Sequence, residues 1–355
     1  MQLDLLKNLT VIDASTVLAG PSVGTFFAEL GATVLKIEHP KHGDVTRDWR
    51  LQIEPEDSVS AYFSSVNYLK SYQKLDLTNE VDRATFYTLI STADILLTNF
   101  KKGDAEKFQC SDEQLRNVNP QLIHGKITGF GADSDRVAYD LVLQAETGFM
   151  SMNGTADSGP VKIPVAVIDI LAAHHLKEGL LLALYQRQLL QKGATIEVSL
   201  YNAALASLAN QASNFLMTGQ VPKRQGSVHP NIAPYGELFK TISGDLITFA
   251  IGSDVHFSKL CSLLELNEIP NQSRFNTNTH RLANRIELAA LLSEKISQLQ
   301  TQFILDACEK LFIPAAKIKQ LDEVLNDVKA QKLVRTETIN QTSTQRITSI
   351  AFNYD

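Results

Sequence analysis

Short runs of β-branched and aliphatic residues alternate along the chain with longer stretches in which apolar positions recur every three or four residues. Residues 9–14 (LTVIDA) and 33–38 (TVLKIE) are apolar runs of strand length. Between them, behind a turn at Ala19-Gly20-Pro21, residues 22–31 carry helical periodicity, so the opening reads as a β-α-β unit. Further strand-like runs at 93–98 (ADILLT) and 122–128 (LIHGKIT) come with helical patterns at 79–92 and 112–118. This alternation predicts an α/β domain with a mostly parallel sheet.

Residues 170–191 form the strongest helical pattern, with Asp169 at its start and Lys192-Gly193 as its stop signal. A strand (TIEVSL, 195–200) and a helix near 202–217 follow, and then 218–236, rich in glycine, proline and polar residues, reads as an interdomain connection. From about 237 to 310 the chain has its own strand (LITFAIG) followed by helices. The tail carries FIPAAKIK and a strand-like RITSIAF, expected to return to the first sheet. The predicted organisation is a large α/β domain over 1–217, a small domain with its linker over 218–310, and a return to the large domain over 311–355.

The length of 355 residues agrees with two domains, each able to bury a core. A composition of 44% hydrophobic and 20% charged residues is that of a folded globular chain. With 33 basic against 39 acidic side chains the formal net charge is −6, which offers no electrostatic footprint for nucleic acid or an anionic membrane. The apolar runs are too short and interrupted to span a bilayer, and MQLDLLKNLTVID does not read as a secretory signal. Three cysteines (Cys110, Cys261, Cys308), odd in number and widely spaced, argue against a disulfide framework and a cysteine zinc site. The expected compartment is the reducing cytoplasm.

The first βα turn invites a dinucleotide reading with Glu38 as ribose ligand, but Gly20-Pro21-Ser22-Val23-Gly24 lacks the G-x-G-x-x-G spacing; a tight strand-to-helix turn is the simpler reading. Asp169 is a stronger candidate for chemistry, since a helix N-terminus favours an ionised carboxylate, although aspartate in that position is more often only a cap. His174 and His175 are adjacent, point in different directions on a helix, and so do not make an i, i+4 metal pair; packing or surface is their expected role. No G-x-S-x-G elbow, P-loop or cysteine–histidine metal spacing occurs elsewhere.

Several segments taken together resemble the class III CoA-transferase family, which includes formyl-CoA transferase, carnitine CoA-transferase and α-methylacyl-CoA racemase. They are VIDASTVLAGPSVGTFFAELGATVLKIEHPKHGDVTRDW (11–49), LDL (75–77), ADILLTNF (93–100), YDLVLQAETGFMSMNG (139–154), VAVIDILAAHHLKEGLLLAL (165–184), GSVHPNIAPYGELF (226–239) and IPAAKIKQLDEVLND (313–327). The resemblance implies that Asp169 is the catalytic nucleophile and moves CoA from an acyl-CoA donor to a free carboxylic acid. The route it implies passes through mixed aspartyl anhydrides and an aspartyl-CoA thioester, needs no metal or redox cofactor beyond CoA as substrate, and requires backbone N–H groups to stabilise oxyanions.

By the same resemblance CoA is expected to touch Leu18, Ala19, His39, Leu75, Asp76, Leu77, Thr78, Asn99, Phe100, Lys101, Lys107, and Arg136, Val137, Ala138, Tyr139 and Asp140. Phe100 would stack near adenine while Lys107, Arg136 and Lys101 meet phosphates. The GSVHPNIAPY segment is expected to border the acyl end, with His229 and Tyr235 as candidate lining residues and a structural turn as their alternative role. The implied fold is a Rossmann-like α/β large domain with a smaller inserted α+β domain, in an interlocked homodimer. The chain departs from the family pattern in three places. His39 stands where arginine is common, the asparagine-lysine-arginine run before LDL is missing, and there is no four-glycine loop, which counts against formyl and oxalyl substrates. The alternatives are a racemase, disfavoured because Tyr139 occupies the position of that branch's histidine, a non-catalytic acyl-CoA-binding protein, and more remotely a dehydrogenase.

Overall fold

Six strands of the large unit pair side by side, all parallel: β1 (Thr10–Ala14), β2 (Thr33–Glu38), β3 (Lys70–Lys74), β4 (Ile95–Thr98), β5 (Ile123–Thr128) and β6 (Ala194–Ser199), in the order β3-β2-β1-β4-β5-β6. Successive side chains on a strand face opposite ways, and both faces are covered. Val11, Ile95, Leu97 and Ile123 pack with helices Ala19–Glu29 and Val167–Leu190 on one face. Ile12 and Leu96 join Phe86, Ile90 and Leu115, from helices Glu80–Thr92 and Asp112–Val118, on the other. The expected β-α-β opening and parallel sheet are therefore present. β3 escaped the hydrophobic pattern because it lies at the sheet edge, where KSYQK needs only a partly apolar side.

The computed structural model describes residues 4–354 and divides into two units. The large one runs to Ser151, resumes over Lys162–Pro222 and again from Lys332; the small one comprises Met152–Val161 and Lys223–Gln331. The small unit has its own core, with Phe249, Phe257, Leu260, Leu292 and Ile304 under an antiparallel sheet of β7 (Phe239–Lys240), β8 (Leu246–Phe249) and β9 (Ala315–Lys317). Because β9 pairs with β8, the chain stays in this unit past 310, and residues 311–331 belong with it rather than with the returning tail. RITSIAF does not join the first sheet either. Its first residues close β11 (Thr342–Ile347), which among the described residues pairs only with β10 (Val334–Ile339), across a two-residue turn, Asn340-Gln341, with both φ positive.

Two helix ends differ from their expected form. Helix Val167–Leu190 stops on Gln191 in the left-handed conformation, with φ of 53°, so Gly193 is not the cap. Gly193 is required by proximity instead, since a Cβ there would lie 2.0 Å from the Leu122 carbonyl oxygen. The helix expected over 202–217 is two, Leu200–Ala206 and Ala209–Thr218, broken at residues that no proline or glycine announces.

Two buried ion pairs involve side chains from β1, β2 and β3. Lys70 Nζ donates to Asp13 Oδ2 at 2.7 Å, to the Pro21 and Val66 carbonyls at 2.8 and 2.9 Å, and to Asn67 Oδ1 at 3.0 Å. Lys36 Nζ donates to the Ser15 carbonyl at 2.7 Å and lies 3.0 Å from Asp44 Oδ2. Helix Ala19–Glu29 packs so closely on the first pair that a Cβ on Gly24 would be 2.8 Å from Asp13 Oδ2, hence the glycine. Burial opposes ionisation of Asp13, but the ammonium groups of Lys70 and Lys36 outweigh it and hold the carboxyl below its ordinary value.

Lys70→Met should therefore strand a buried carboxylate and lower the free energy of unfolding by about 3–5 kcal/mol in guanidinium titrations. In the wild type the contribution of Asp13, whose folded pKa is depressed, is present above the ordinary carboxylate pKa and is lost as pH falls through the folded value. Stability measured against pH should show that acid limb, and the Lys70→Met variant should flatten it.

Candidate active site

The strand order reverses at β1, which has β2 on one side and β4 on the other, so the loops leaving β1 and β4 diverge. A crevice at the carboxyl ends of strands is the physical consequence, and ligands of open α/β sheets bind there. A cleft of about 360 Å³ opens at this point, beside the ends of β1, β4 and β5. Asn99 bridges its two sides: Oδ1 accepts from Thr16 N–H at 3.0 Å and Nδ2 donates to the Thr16 carbonyl at 2.9 Å. Val17, next along the β1 loop, has φ of 73°, costly for a β-branched residue, and its N–H points to Asp44 Oδ1 at 3.4 Å. Gly131, with φ of 102°, turns the loop after β5.

Of the residues expected to hold CoA, Asn99, Phe100 and Lys101 line this cleft from the β4 side, and Arg136, Val137, Ala138 and Tyr139 from the other. Phe100 packs edge-on against Phe108, with centroids 5.3 Å apart. Arg136 pairs with Glu146 and lies 3.9 Å from the Phe130 ring centroid. Leu18 is the N-cap residue of helix Ala19–Glu29 and Ala19 its buried first residue. His39, Asp76 and Thr78 form a separate group beyond β2: His39 Nε2 lies 3.7 Å from Asp76 Oδ2, and Asp76 Oδ1 accepts from the Thr78 hydroxyl at 2.6 Å. Leu75 and Leu77 are core side chains, and Lys107 lies near the Phe108 ring. Glu38 is committed to Arg47 through two hydrogen bonds of 2.8 and 2.7 Å, which removes it as a ribose ligand.

Asp169 is the third residue of helix Val167–Leu190, and it does not cap it. That role falls to Asp140, whose Oδ1 accepts from Ile168 N–H at 2.8 Å while Oδ2 accepts from Gln144 Nε2 at 2.6 Å. Gln144, fully buried, also takes Ile163 N–H at 2.7 Å and so fixes the approach to the helix. The carboxylate of Asp169 is only 7% exposed as a residue and accepts no hydrogen bond among the described residues. Burial, followed by the charge of Asp140, pushes its pKa up to about 7. The helix end acts in the opposite direction, with about 0.3–2 kcal/mol, and is outweighed.

Tyr62 was not singled out from the sequence. Burial, with the charges of Asp169, Asp140 and Asp44, pushes its hydroxyl up to about 12, and its ring meets Trp49 edge-on at 5.0 Å. Nothing in the polar stretch SVSAYFSS announces that setting. Thr98, Asp112, His124 and Lys126 also line the cleft without having been predicted. His174 is exposed, and His175 lies 3.5 Å from Glu178 one turn on. In the small unit His229 N–H donates to the Tyr235 carbonyl at 2.9 Å with the rings 5.0 Å apart, a turn held by Arg285 on the His229 carbonyl at 2.7 Å.

Residues 6–354 match the family described as CoA-transferase family III. The succinate–glutarate CoA-transferase of Agrobacterium fabrum is 35% identical over 333 residues, 92% of this chain and 83% of that protein. The acetyl-CoA:oxalate CoA-transferase of Acetobacter aceti is 33% identical over 323 residues, 90% of this chain and 82% of that protein. The crystal structure of a CAIB/BAIF family protein from Brucella suis superposes with a TM-score of 0.82 at 34% identity, covering 98% of this chain and 92% of the other. With sequence and fold in agreement over nearly the whole of this chain, it belongs to CoA-transferase family III and is an enzyme of that class.

Proposed function

We propose that the enzyme moves CoA from an acyl-CoA to a free carboxylic acid through covalent intermediates on Asp169. The observation that carries this reading is a buried carboxylate at a helix start that neither caps the helix nor accepts a hydrogen bond, with its pKa near neutrality. A structural aspartate in that place would be paired; an unpaired one is basic enough to attack a thioester and half ionised at neutral pH. One oxygen of Asp169 adds to the thioester carbonyl and CoA thiolate leaves, giving a mixed anhydride. The thiolate then adds to the aspartyl carbonyl and expels the first acid, leaving an aspartyl-CoA thioester. The acceptor carboxylate attacks that thioester and releases the thiolate. The thiolate takes the acyl group from the new anhydride, which frees both acyl-CoA and Asp169. The cleft beside β1, β4 and β5 receives the CoA moiety. Short dicarboxylic acids such as succinate and glutarate are the favoured acid substrates, since a succinate–glutarate transferase is among the relatives.

The enzyme works as a homodimer whose second copy covers an apolar face. Leu182, Tyr185 and Leu189, spaced for one side of helix Val167–Leu190, stand exposed, as do Leu216 and Met217 on helix Ala209–Thr218. Apolar side chains at helical spacing on an open face favour burial against a partner. Light scattering at micromolar concentration should give twice the mass of the chain; a folded, active monomer would refute this.

Asp169→Asn should abolish transfer between succinyl-CoA and glutarate, followed by mass spectrometry, and borohydride during turnover should modify the wild-type peptide containing residue 169. Wild-type rates in the Asn variant, or no modification during turnover, would reduce Asp169 to a structural role. In the wild type kcat/KM should rise with pH through about 7 as the nucleophile ionises. The stability sign is opposite. A carboxyl whose folded pKa is raised contributes stability that is full below its unfolded value and lost as pH rises through about 7. Asp169→Asn should therefore be more stable than wild type at pH 8, by roughly 2–4 kcal/mol in denaturant titrations.

A further inference from the structure

The wall of the cleft carries a chain of polar side chains that this acyl transfer does not use. Thr98, the last residue of β4, shares a 2.9 Å hydrogen bond between its hydroxyl and His124 Nε2. On the other side of the ring Nδ1 lies 2.7 Å from Asp112 Oδ1, and Asp112 Oδ2 accepts from Lys126 Nζ at 3.0 Å. His124 and Lys126 are two residues apart on β5 and so share a face, and Asp112 opens the helix Asp112–Val118 behind the Ser111 cap.

The protonation pattern follows from burial and bonding. Burial holds His124 below its ordinary value despite Asp112, so the ring is neutral at pH 7. The hydrogen bond from His124, followed by that from Lys126, holds Asp112 far below the usual carboxylate range. Nδ1–H therefore donates to Asp112, and Nε2 accepts from the Thr98 hydroxyl. A hydroxyl, an imidazole and a carboxylate in that order resemble a nucleophile with its base. Thr98, however, is only 3% exposed, which gives an acyl carbon no approach to its oxygen. The part of the chain that remains available is the ammonium of Lys126, with a side chain 26% exposed.

An ammonium has three donors, and Lys126 uses one, on Asp112, among the described residues. The other cations of the cleft differ. Arg136 is engaged by Glu146 and Lys102 by the Asp133 carbonyl at 2.8 Å, while Lys101 carries no such anchor to fix its position. All three engaged cations keep spare donors, but Lys126 differs in its anchor: Asp112 is partly buried and is itself held by His124, whereas the partners of Arg136 and Lys102 lie exposed, so Lys126 offers its donors from the best-fixed position, as phosphate recognition needs.

We propose that Lys126 binds a phosphate of the CoA moiety, held in place by the Thr98–His124–Asp112 chain. The inference rests on the cleft being the CoA site. Phosphate entry does not require Lys126 to leave Asp112, because the ammonium has donors for both and His124 stays on the other carboxylate oxygen.

The test is calorimetric binding of CoA, 3′-dephospho-CoA and pantetheine to the wild type, Lys126→Gln and Lys126→Arg. Lys126→Gln should weaken CoA about 10- to 100-fold, the usual range for a lost hydrogen bond between charged groups. Lys126→Arg, which keeps the charge, should retain most of the affinity, and pantetheine, which has no phosphate, should bind all three proteins alike. A loss seen with CoA but not with dephospho-CoA identifies the 3′-phosphate; a loss with both identifies the pyrophosphate. Unchanged CoA affinity in Lys126→Gln, or an equal loss for CoA and pantetheine, would overturn the assignment of Lys126. If the wild type itself binds CoA no better than pantetheine, the cleft is not a nucleotide site and the CoA reading of the cleft falls with it.

Discussion

The hydrogen bond from Ile168 N–H to Asp140 decides what Asp169 is free to do. A helix start presents several N–H groups without intrahelical acceptors, and a carboxylate in the first turn ordinarily takes one of them. Here the acceptor comes from another helix, Asp140–Glu146, and Gln144 clamps that acceptor at 2.6 Å. With the donor already used, the Asp169 carboxylate is left buried and unpaired beside a second negative charge. Burial is the larger cause of the raised pKa of Asp169, and the same bond, by fixing the distance between the two carboxylates, sets the repulsion that adds to it.

The second constraint lies under the sheet's switch point. Lys70 gathers the Pro21 and Val66 carbonyls and Asp13 around one ammonium, and Lys36 does the same for Ser15 and Asp44. Both are buried, so removal of one partner costs far more than the pair contributes. They act as spacers: the first turn of helix Ala19–Glu29 and the loop carrying Asp44 are each tied to a fixed cation. Val17 is held in a strained conformation at the cleft by these tethered neighbours, with Asn99 clamping the adjacent Thr16 from β4. Rigid walls of this kind favour a preformed cleft over one assembled by the ligand.

The apolar runs behind β1, β2, β4 and β5, and the long periodic stretch behind helix Val167–Leu190, were legible because burial on both faces leaves an unbroken hydrophobic signature. β3 was not, since an edge strand can be written in polar residues. The start of helix Val167–Leu190 pointed to Asp169 as a carboxylate of interest, but capping and catalysis look alike in a sequence. Asn99, Phe100, Lys101 and residues 136–139 do come together in the cleft, whereas Leu75 and Leu77 turn into the core, as period-two alternation around the polar Asp76 allows.

The sequence by itself determined the class of fold, the alternating order of strands and helices, and the family, because these depend on local periodicity and on motifs contiguous in the chain. Tertiary structure alone decided which ions are buried and what each site carboxylate does. Asp13 and Lys70 are 57 residues apart, and Asp140 and Ile168 are separated by 28. Such contacts leave no local pattern, since a lysine within an apolar strand reads the same whether its ammonium reaches water or a buried carboxylate. The pKa of Asp169 is set by the water excluded around it and by a charge on another helix, and both exist only once the chain has folded.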